Sequence, residues 1–489
     1  MENKTGLNRT LGLFDATSIV AGSMIGSGIF IVTTFMAREI GSAGWILFLW
    51  LLTGLITITA ALSYGELAAM MPKAGGQYVY IQRAYGKLIS FLYGWAVFTV
   101  IQTGVIAAVA VAFSKYAAVF FPELNTVLVK TPVVTTTYAQ ILSVFCIVLL
   151  TYINSRGVKN GKNIQLLFTS AKLIALFALI VLGLAMGFKS GMLAQNFSNM
   201  WEANSTTVKG DGSLFTVQLA GFALVGAMGA SLINPLFSSD AWNNVTFIAG
   251  EIKDPVKNIP RSLFLGTVIV TIIYILANVA YMSLLPIKGD PHATDAIGQG
   301  IMFASNDRVG TAAASIIFGN SAIYLMAALI MISTFGCNNG LILSGARLFY
   351  AMAKDGLFIK KAAEVNDKHV PSTALWFQCI WACLLCLSGQ YGQLIVYSTF
   401  VSLLFYMLTI GGIFILRKKE PNTERPYKVI GYPIIPIFYI LITLVITIDL
   451  IYYKPFETLG GIAIVLLGLP VYFILSLKKI ESAEPTETQ

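Results

Sequence analysis

Twelve long apolar segments dominate this sequence, and they limit what the chain can fold into. Most of them reach the ~20 residues that an α-helix needs to cross a bilayer. Of the 489 residues, 56% are hydrophobic and only 11% are charged, far from the composition of a soluble domain. The sequence therefore predicts an all-α integral membrane protein whose spans 1 to 12 cover residues 11–36, 43–70, 89–121, 135–154, 163–187, 214–250, 262–285, 311–346, 372–389, 391–416, 432–453 and 458–477.

Lysine and arginine are distributed unevenly over the loops that join these spans. One set of alternate loops, together with both chain ends, holds most of the 32 basic residues. Since basic loops stay in the cytoplasm, we predict a multi-pass protein of the plasma (cell inner) membrane with both termini cytoplasmic. The same bias explains the net charge of +9 without a nucleic-acid partner. The opposite, predicted outer side carries only Arg38, Lys115, Lys130, Lys189, Lys209, Lys288, Arg308 and Lys454.

The loops are too short to fold as separate domains, so we expect one membrane unit. Residues 1–10 form a cytoplasmic N-terminal segment, and residues 11–420 form the core with spans 1 to 10. Residues 421–480 hold spans 11 and 12. The polar, acidic residues 481–489 are expected to form a disordered cytoplasmic tail.

Span 1 is interrupted by glycine near its centre, at Gly22, Gly26 and Gly28. Each glycine costs roughly 0.5–1 kcal/mol relative to alanine within a helix, so a plain membrane anchor gains nothing from them. A helix broken at residues 26–28 would direct free N–H groups and the positive end of a helix dipole towards a carboxylate. The alternative is close helix packing through the small-residue pair Gly22 and Gly26.

Span 6 carries a second interruption, five spans after the first. Pro235 removes a helix hydrogen bond, and the charged Asp240 follows at membrane depth. Two broken spans at equivalent positions are typical of an inverted five-plus-five repeat that holds its substrate near the bilayer midplane. Spans 11 and 12 would then lie outside the repeat.

Lys172 lies near the middle of span 5, about ten residues or ~15 Å from either interface, too far for its ammonium to reach the surface. The carbonyls freed by the break in span 1 are its expected partners, so that the ammonium stands in for a bound sodium ion. The alternative is a structural lysine in a lateral water pocket.

Four motifs resemble those of the amino acid–polyamine–organocation transporters, and within them the L-type amino acid exchangers. Their order and spacing agree over about residues 10–420. The motifs are Gly22 to Phe30 in span 1, Ala171-Lys172-Leu173 in span 5, Phe237 to Pro255 in span 6 and Thr334 to Gly356 in span 8. The resemblance implies the twelve-helix fold of that superfamily, with an inverted 5+5 repeat and broken helices 1 and 6.

The resemblance also implies a role for each site residue. N–H groups at residues 26–28 would hold the substrate carboxylate, nearby carbonyls would take the α-ammonium, and Phe237 would close over the substrate. Lys172 matches the lysine that replaces the sodium site in sodium-independent members. The substrate-binding set implied in this way is Met24, Ile25, Gly26, Ser27, Gly28, Phe237, Ser238, Asp240, Asn338 and Asn339.

Three departures from the family pattern stand out. Ala241 occupies a place where the family often has glycine, which would tighten the side-chain pocket. Asp240 stands where many carriers of neutral amino acids have glycine and some carriers of cationic substrates have aspartate. The loop Pro122 to Val134 lacks the cysteine by which animal relatives bond a glycoprotein partner. We therefore expect no disulfide-linked subunit, and a monomer is compatible with the sequence.

Glu66 and Glu251, at the inner ends of spans 2 and 6, could form part of a gate or a purely structural ion pair. His292 and His369 lie in loops without a cluster of metal ligands, so we expect no metal or cofactor. No span contains a histidine or a pair of carboxylates suited to acid–base catalysis, which argues against an enzyme.

The sequence therefore predicts a sodium-independent secondary transporter of amino acids that works by alternating access as an exchanger. Proton-coupled symport, or antiport of polyamines or cationic amino acids, is the alternative on the same scaffold, and Asp240 and Lys172 are the residues that could favour it. A membrane channel or receptor is the alternative from another class. The two broken helices argue against a continuous pore.

Overall fold

The structure, a computed structural model, describes residues 7–130, 135–210, 212–388 and 391–481. Within these ranges the chain is predominantly helical, and ten helices are long and apolar enough to cross a membrane. Spans 1 and 9 are present as the shorter apolar helices Leu13–Met24 and Ser372–Leu387. The number of crossings, twelve, stays a prediction. Most of the expected N-terminal segment and nearly all of the expected tail, residues 1–6 and 482–489, lie outside the described residues.

The helices follow the predicted spans closely. Spans 2 to 5 are Ala43–Met70, Lys87–Ala117 with a π-helical turn at Val97–Ile101, Tyr138–Ser155 and Val158–Gly187. Spans 7 to 12 are Pro255–Leu284, Ala322–Lys354, Ser372–Leu387, Tyr391–Lys419, Ile434–Tyr453, and the pair Pro455–Leu466 and Gly468–Glu481. Short helices at Gln77–Tyr85, Met192–Phe197, Ala296–Gln299 and Val309–Phe318 lie in the connections.

Within the described residues, two antiparallel strand pairs interrupt the helical chain, in the connections between spans 3 and 4 and between spans 5 and 6. The first pairs Val127–Lys130 with Thr135–Thr137, and the second pairs Asn204–Val208 with Leu214–Gln218. The prediction that span 6 begins at residue 214 was therefore wrong. Its helix begins at Gly221, and the apolar, partly β-branched residues 214–218 form an exposed strand instead.

Span 8 also begins later than predicted. The helix Val309–Phe318 ends at Gly319, whose φ of +59° lies in the left-handed region that ends helices. A separate helix of span 8 then starts at Ala322 and continues to Lys354. In the sequence, these two consecutive helices look like one helix because both are apolar and only a short connection separates them.

Span 5 shows how the helices divide between lipid and protein. Leu167, Ile174 and Phe177 lie on one face and are 66%, 69% and 67% exposed, as expected of side chains that contact lipid tails. Lys172 on the opposite face is only 1% exposed. That face packs against spans 1, 7 and 8, and span 7 in turn packs on spans 1 and 2.

The two broken spans meet in the middle of the molecule. The second helix of span 1, Val32–Ile40, packs against the helix Gly221–Ser238 of span 6. Spans 2 and 7 pack together, as do spans 3 and 8, which are the pairs that an inverted repeat would make equivalent. The repeat itself stays a prediction. The breaks are thus enclosed by spans 5, 7 and 8, where the site residues were expected.

Candidate functional site

Span 1 is broken where its glycines predicted. The helix Leu13–Met24 stops at Ile25, whose backbone is extended, and a short 3₁₀ turn at Gly28–Phe30 leads into the helix Val32–Ile40. Among the described residues, no acceptor takes a hydrogen bond from the N–H groups of residues 26–28. Residues 26–28 are only half-buried, and Ser27 and Gly28 line a cavity, so these three N–H groups are available to an anionic ligand.

Lys172 contacts the break as predicted. Its Nζ lies 2.7 Å from the carbonyl oxygen of Gly22, 2.6 Å from that of Ile25 and 3.2 Å from that of Ser333. An ammonium has three N–H donors, and all three find acceptors here. Because a buried charge is tolerated only when it is paired or hydrogen-bonded, this cluster of carbonyls holds the lysine much as broken-helix carbonyls hold a sodium ion.

Ser333, which the sequence reasoning missed, completes this cluster. Its hydroxyl lies 3.1 Å from the carbonyl oxygen of Ile25 and 3.0 Å from that of Gly26. The Ile25 oxygen therefore accepts from the lysine, and the single proton of the Ser333 hydroxyl is shared between the Ile25 and Gly26 oxygens. The role of Ile25 as an acceptor for a substrate ammonium stays a prediction, and its carbonyl already accepts from Lys172.

Tyr274 of span 7 joins the two breaks and was also missed. Its hydroxyl lies 3.1 Å from the carbonyl oxygen of Met24 and 2.9 Å from that of Ser238. A hydroxyl has a single proton to donate, so at any moment one of these carbonyls is free to accept from another donor. Met24 thus remains a candidate acceptor for a substrate ammonium.

The break in span 6 follows Ser238. The helix Gly221–Ser238 ends there, and a single helical turn at Asn244–Phe247 follows. Ala241 between them has a φ of +64°. This left-handed backbone suits glycine better than alanine, since a Cβ is strained in that region.

Replacing Ala241 with glycine is expected to stabilise the protein by roughly 0.5–1 kcal/mol, because relief of ~1–2 kcal/mol of left-handed strain exceeds the entropic cost of glycine. Thermal unfolding in detergent measures the change. Ala227→Gly, within the preceding helix, is the matched control and should destabilise by about 0.5–1 kcal/mol. A lower melting temperature for both variants would contradict the strain assigned to residue 241.

A cavity of about 890 Å³, here called the outer cavity, reaches the breaks. Ser27, Gly28 and Phe237 line its deep end. Its remaining wall includes the predicted outer residues Lys115, Arg308 and Lys454. Ligand cavities of roughly 300–1,000 Å³ enclose drug-sized molecules, so a small molecule has ample room to enter from this side.

Gly28 and Ser238 hold spans 1 and 6 in close contact. A Cβ on Gly28 would lie 2.0 Å from Oγ and 2.7 Å from Cβ of Ser238, closer than atoms can approach. A Cβ on Gly26 would meet only the sulfur of Cys337, at an ordinary 3.6 Å. The two glycines therefore differ: residue 28 has no room for a side chain, whereas residue 26 does.

Asp240 belongs to a hydrogen-bonded network. Its Oδ1 accepts a 2.6 Å hydrogen bond from the hydroxyl of Tyr406, which also lies 3.4 Å from Oδ1 of Asn243. The Nδ2 of Asn243 then donates to Oε1 of Gln77, on the inner helix Gln77–Tyr85, at 2.9 Å. Two cavities of about 20 Å³ each lie beside Asp240, each with room for about one water molecule. The residue is not among those that line the outer cavity.

Asn338 and Asn339 do not face the same environment. Asn339 donates to the carbonyl of Gly161 and to Oε1 of Gln165 at 2.9 and 3.0 Å, and accepts from Asn154 at 2.9 Å. It therefore links span 8 to spans 4 and 5, and its expected place at the substrate stays a prediction that none of these hydrogen bonds supports. Consecutive helical residues point about 100° apart, so Asn338 points in a different direction from Asn339. Oδ1 of Asn338 is buried without a hydrogen-bond donor among the described residues.

Glu66 and Glu251 each form ion pairs at the predicted inner side. Glu66 accepts from Arg417 at 2.9 and 2.7 Å and from the N–H of Val429 at 2.8 Å. Glu251 accepts from Arg347 of span 8 at 3.0 and 2.9 Å, and both side chains are fully buried. These ion pairs connect different spans. They are compatible with both roles expected from the sequence, part of a gate or a purely structural ion pair.

Replacing Arg347 with methionine is expected to destabilise the protein by about 3–5 kcal/mol, because Glu251 would keep an uncompensated buried charge. Arg83→Met is the matched control. Its partner Glu420 lies outside the spans, and the hydrogen bond from Arg83 lowers the pKa of that carboxyl. Both groups are partly exposed, so the control should cost about 1 kcal/mol at most. Denaturant unfolding measures both changes. An equal loss of unfolding free energy in Arg347→Met and Arg83→Met would contradict the prediction.

Comparison with known proteins agrees with this geometry. Residues 11–467 match the profile described as amino acid permease. The chain is 31% identical to the human "Large neutral amino acids transporter small subunit 2", covering 96% of this chain and 80% of that protein. It is 28% identical to the mouse "b(0,+)-type amino acid transporter 1", covering 98% and 90%, and 29% identical to the rat "Asc-type amino acid transporter 1", covering 96% and 82%.

These relatives are transporters rather than enzymes, and the likeness extends through the broken spans and the helices that enclose them. The ten long apolar helices make the chain a multi-pass membrane protein. The protein is a member of the amino acid permease family of membrane transporters.

Proposed function

We propose that this protein is a sodium-independent exchanger of amino acids in the plasma membrane, with both termini cytoplasmic, that works by alternating access. The observation that carries the proposal is the ammonium of Lys172 among the carbonyls of Gly22, Ile25 and Ser333. A fixed cation there leaves no vacancy for a coupling sodium ion. The relatives are named as amino acid transporters, which supports the same substrate class here.

An amino acid would enter through the outer cavity and reach Ser27 and Gly28 at its deep end. The free N–H groups of residues 26–28 then bind its carboxylate, and the carbonyl of Met24 is placed to accept from its ammonium. Phe237 closes over the bound molecule. Opening on the other side requires the Glu66 and Glu251 ion pairs to separate, which makes them gate contacts in this proposal.

Cationic amino acids or polyamines remain the second candidate class because of Asp240. Its carboxylate accepts from Tyr406, so a cationic substrate would have to replace that hydroxyl. Asp240→Asn keeps the shape and removes the charge. If it weakens transport of cationic amino acids more than that of neutral ones, the carboxylate selects substrates; equal losses assign it to the Tyr406 network.

We propose that the chain acts without a disulfide-linked subunit. One relative is named a small subunit, but the loop Pro122 to Val134 contains no cysteine, and the five cysteines of the chain all fall within apolar segments. The protein should therefore migrate at the same position with and without reductant. A larger species that reductant removes would contradict this.

Counterflow in proteoliposomes tests the proposed activity. Vesicles loaded with an unlabelled amino acid should take up labelled amino acid faster than empty vesicles, because an exchanger returns across the membrane only when loaded. The panel should include neutral and cationic amino acids together with their amides, which lack the carboxylate. Uptake that internal substrate does not accelerate would indicate a channel or receptor, and amides that compete as well as acids would overturn the carboxylate site.

A further inference from the structure

A groove of about 400 Å³ opens on the flank of the molecule, away from the outer cavity. It lies between span 2, the first turns of span 7 and the segment at residues 426–430. Leu62, Pro260, Phe264 and Ile430 give it apolar walls. Phe264 and Ile430 are 42% and 65% exposed, as suits side chains that face lipid rather than water.

Two basic side chains stand at the end of this groove that faces the loops. Lys257 and Arg261 are one turn apart on the helix Pro255–Leu284, and both line the groove. Arg261 forms no ion pair within the described part of the chain, and Lys257 has only Asp254 at 3.7 Å, with both side chains more than half exposed. An exposed ion pair at this distance is weak, so Asp254 offsets little of the positive charge of Lys257. The end of the groove at Lys257 and Arg261 is therefore positively charged.

The groove is long enough for the headgroup and the first part of an acyl chain of a lipid. Lys257 and Phe264 are seven residues apart on one helix, which places them about 10 Å from each other along its axis. The positive end therefore lies at the level of the loops, and the apolar walls continue into the span. Basic pockets of this kind between helices bind anionic headgroups.

We propose that this groove binds an anionic phospholipid of the leaflet that it faces. The headgroup phosphate contacts Lys257 and Arg261, and an acyl chain lies along Leu62, Phe264 and Ile430. A zwitterionic lipid would fit the apolar walls equally well, but it brings no net charge to the two basic residues.

The lipid would lie against the ion pairs of the predicted inner side. The ring of Tyr427, which lines the groove, packs on Gly65 so closely that a Cβ there would lie 2.9 Å from its Cε1. Gly65 precedes Glu66, the acceptor for Arg417 and Val429 N–H. A bound lipid therefore stabilises the segment that closes this side. This consequence rests on the proposed function, whereas lipid binding itself does not.

Native mass spectrometry of the full chain in detergent tests the proposal. Phosphatidylglycerol should bind more tightly than phosphatidylcholine with the same acyl chains. Arg261→Gln should weaken phosphatidylglycerol binding about fivefold, and the double variant with Lys257→Gln about 25-fold, with phosphatidylcholine unaffected. Two further variants serve as controls. Arg261→Lys should retain the affinity, since it keeps the charge.

Lys253→Gln is the matched control. Lys253 is exposed in the same connection but lies outside the groove, so this variant should bind phosphatidylglycerol like the unchanged protein.

Equal binding of the two lipids would overturn the proposal, as would an equal loss in Lys253→Gln and Arg261→Gln. Inorganic phosphate is the remaining competitor. If it displaces phosphatidylglycerol as effectively as the free lipid does, the groove holds anions of any kind and not a lipid. None of these readouts involves transport, so failure here and failure of counterflow are separate results.

Discussion

Replacing Lys172 with methionine is expected to reduce amino acid counterflow by about 100-fold or more. Three hydrogen bonds from a buried ammonium disappear, and each such bond to a charged group contributes about 1.5–3 kcal/mol. The buried carbonyls of Gly22 and Ile25 would no longer accept from the ammonium. The break in span 1 would then lose its fixed position relative to spans 5 and 8.

Lys159→Met is the matched control for this variant. It makes the same substitution on the same helix, at an exposed residue far from the break, and should leave counterflow unchanged. Ser333→Ala, which removes the hydroxyl but keeps the carbonyl that faces Lys172, should give a smaller loss of about 10-fold. Counterflow that falls equally in Lys172→Met and Lys159→Met would remove the assigned role from Lys172. External sodium should not restore the Lys172→Met variant.

A second large effect is expected at Gly28. Alanine there places a Cβ 2.7 Å from Cβ of Ser238, so spans 1 and 6 must separate where the substrate carboxylate is expected to bind. Misplacement of about 1 Å can cost a factor of 10² in activity, and we expect a loss of that order for Gly28→Ala. Gly26→Ala is the matched control, because its Cβ would lie 3.6 Å from Cys337, and it should stay within about threefold of the unchanged protein.

The double variant Gly28→Ala with Ser238→Gly shows whether the contact itself is responsible. Removing the Ser238 side chain leaves its Cα at 3.3 Å from the new Cβ, a tight but adjustable distance. Counterflow should therefore recover in part, whereas Ser238→Gly combined with Gly26→Ala should show no gain. Equal losses for Gly26→Ala and Gly28→Ala would mean that chain flexibility, rather than this contact, is what the glycines provide.

The break in span 1 and the buried contact of Lys172 could be predicted from the sequence because the residues involved are unfavourable in an ordinary membrane-spanning helix. Three glycines weaken a helix in span 1, and a lysine at mid-span cannot reach water. Such residues need a partner of known type, and the carbonyls of a broken helix were the available one. The structure confirms that contact.

The finer geometry of the site could not be predicted, since it depends on which face each helix turns inward. Asn339 is one residue beyond Asn338 and therefore faces spans 4 and 5. The hydroxyl of Tyr274 reaches both breaks from span 7, but an isolated tyrosine in an apolar span gives no signal of its partner. Only tertiary packing places these side chains.

Apolar character alone also misplaced two element boundaries. Residues 214–218 are apolar enough to extend a span, yet they pair as a strand with Asn204–Val208. The start of span 8 was hidden because the helix Val309–Phe318 is itself apolar. Gly319 was the available signal, since a glycine after a helix commonly ends it.

The sodium dependence of counterflow in proteoliposomes tests the role proposed for Lys172. Vesicles are prepared at constant pH with sodium on both sides, with choline in its place, or with an inward sodium gradient. If Lys172 occupies the position of a coupling cation, as proposed, the rate should be the same in all three. Uptake that rises steeply with the sodium gradient would contradict it.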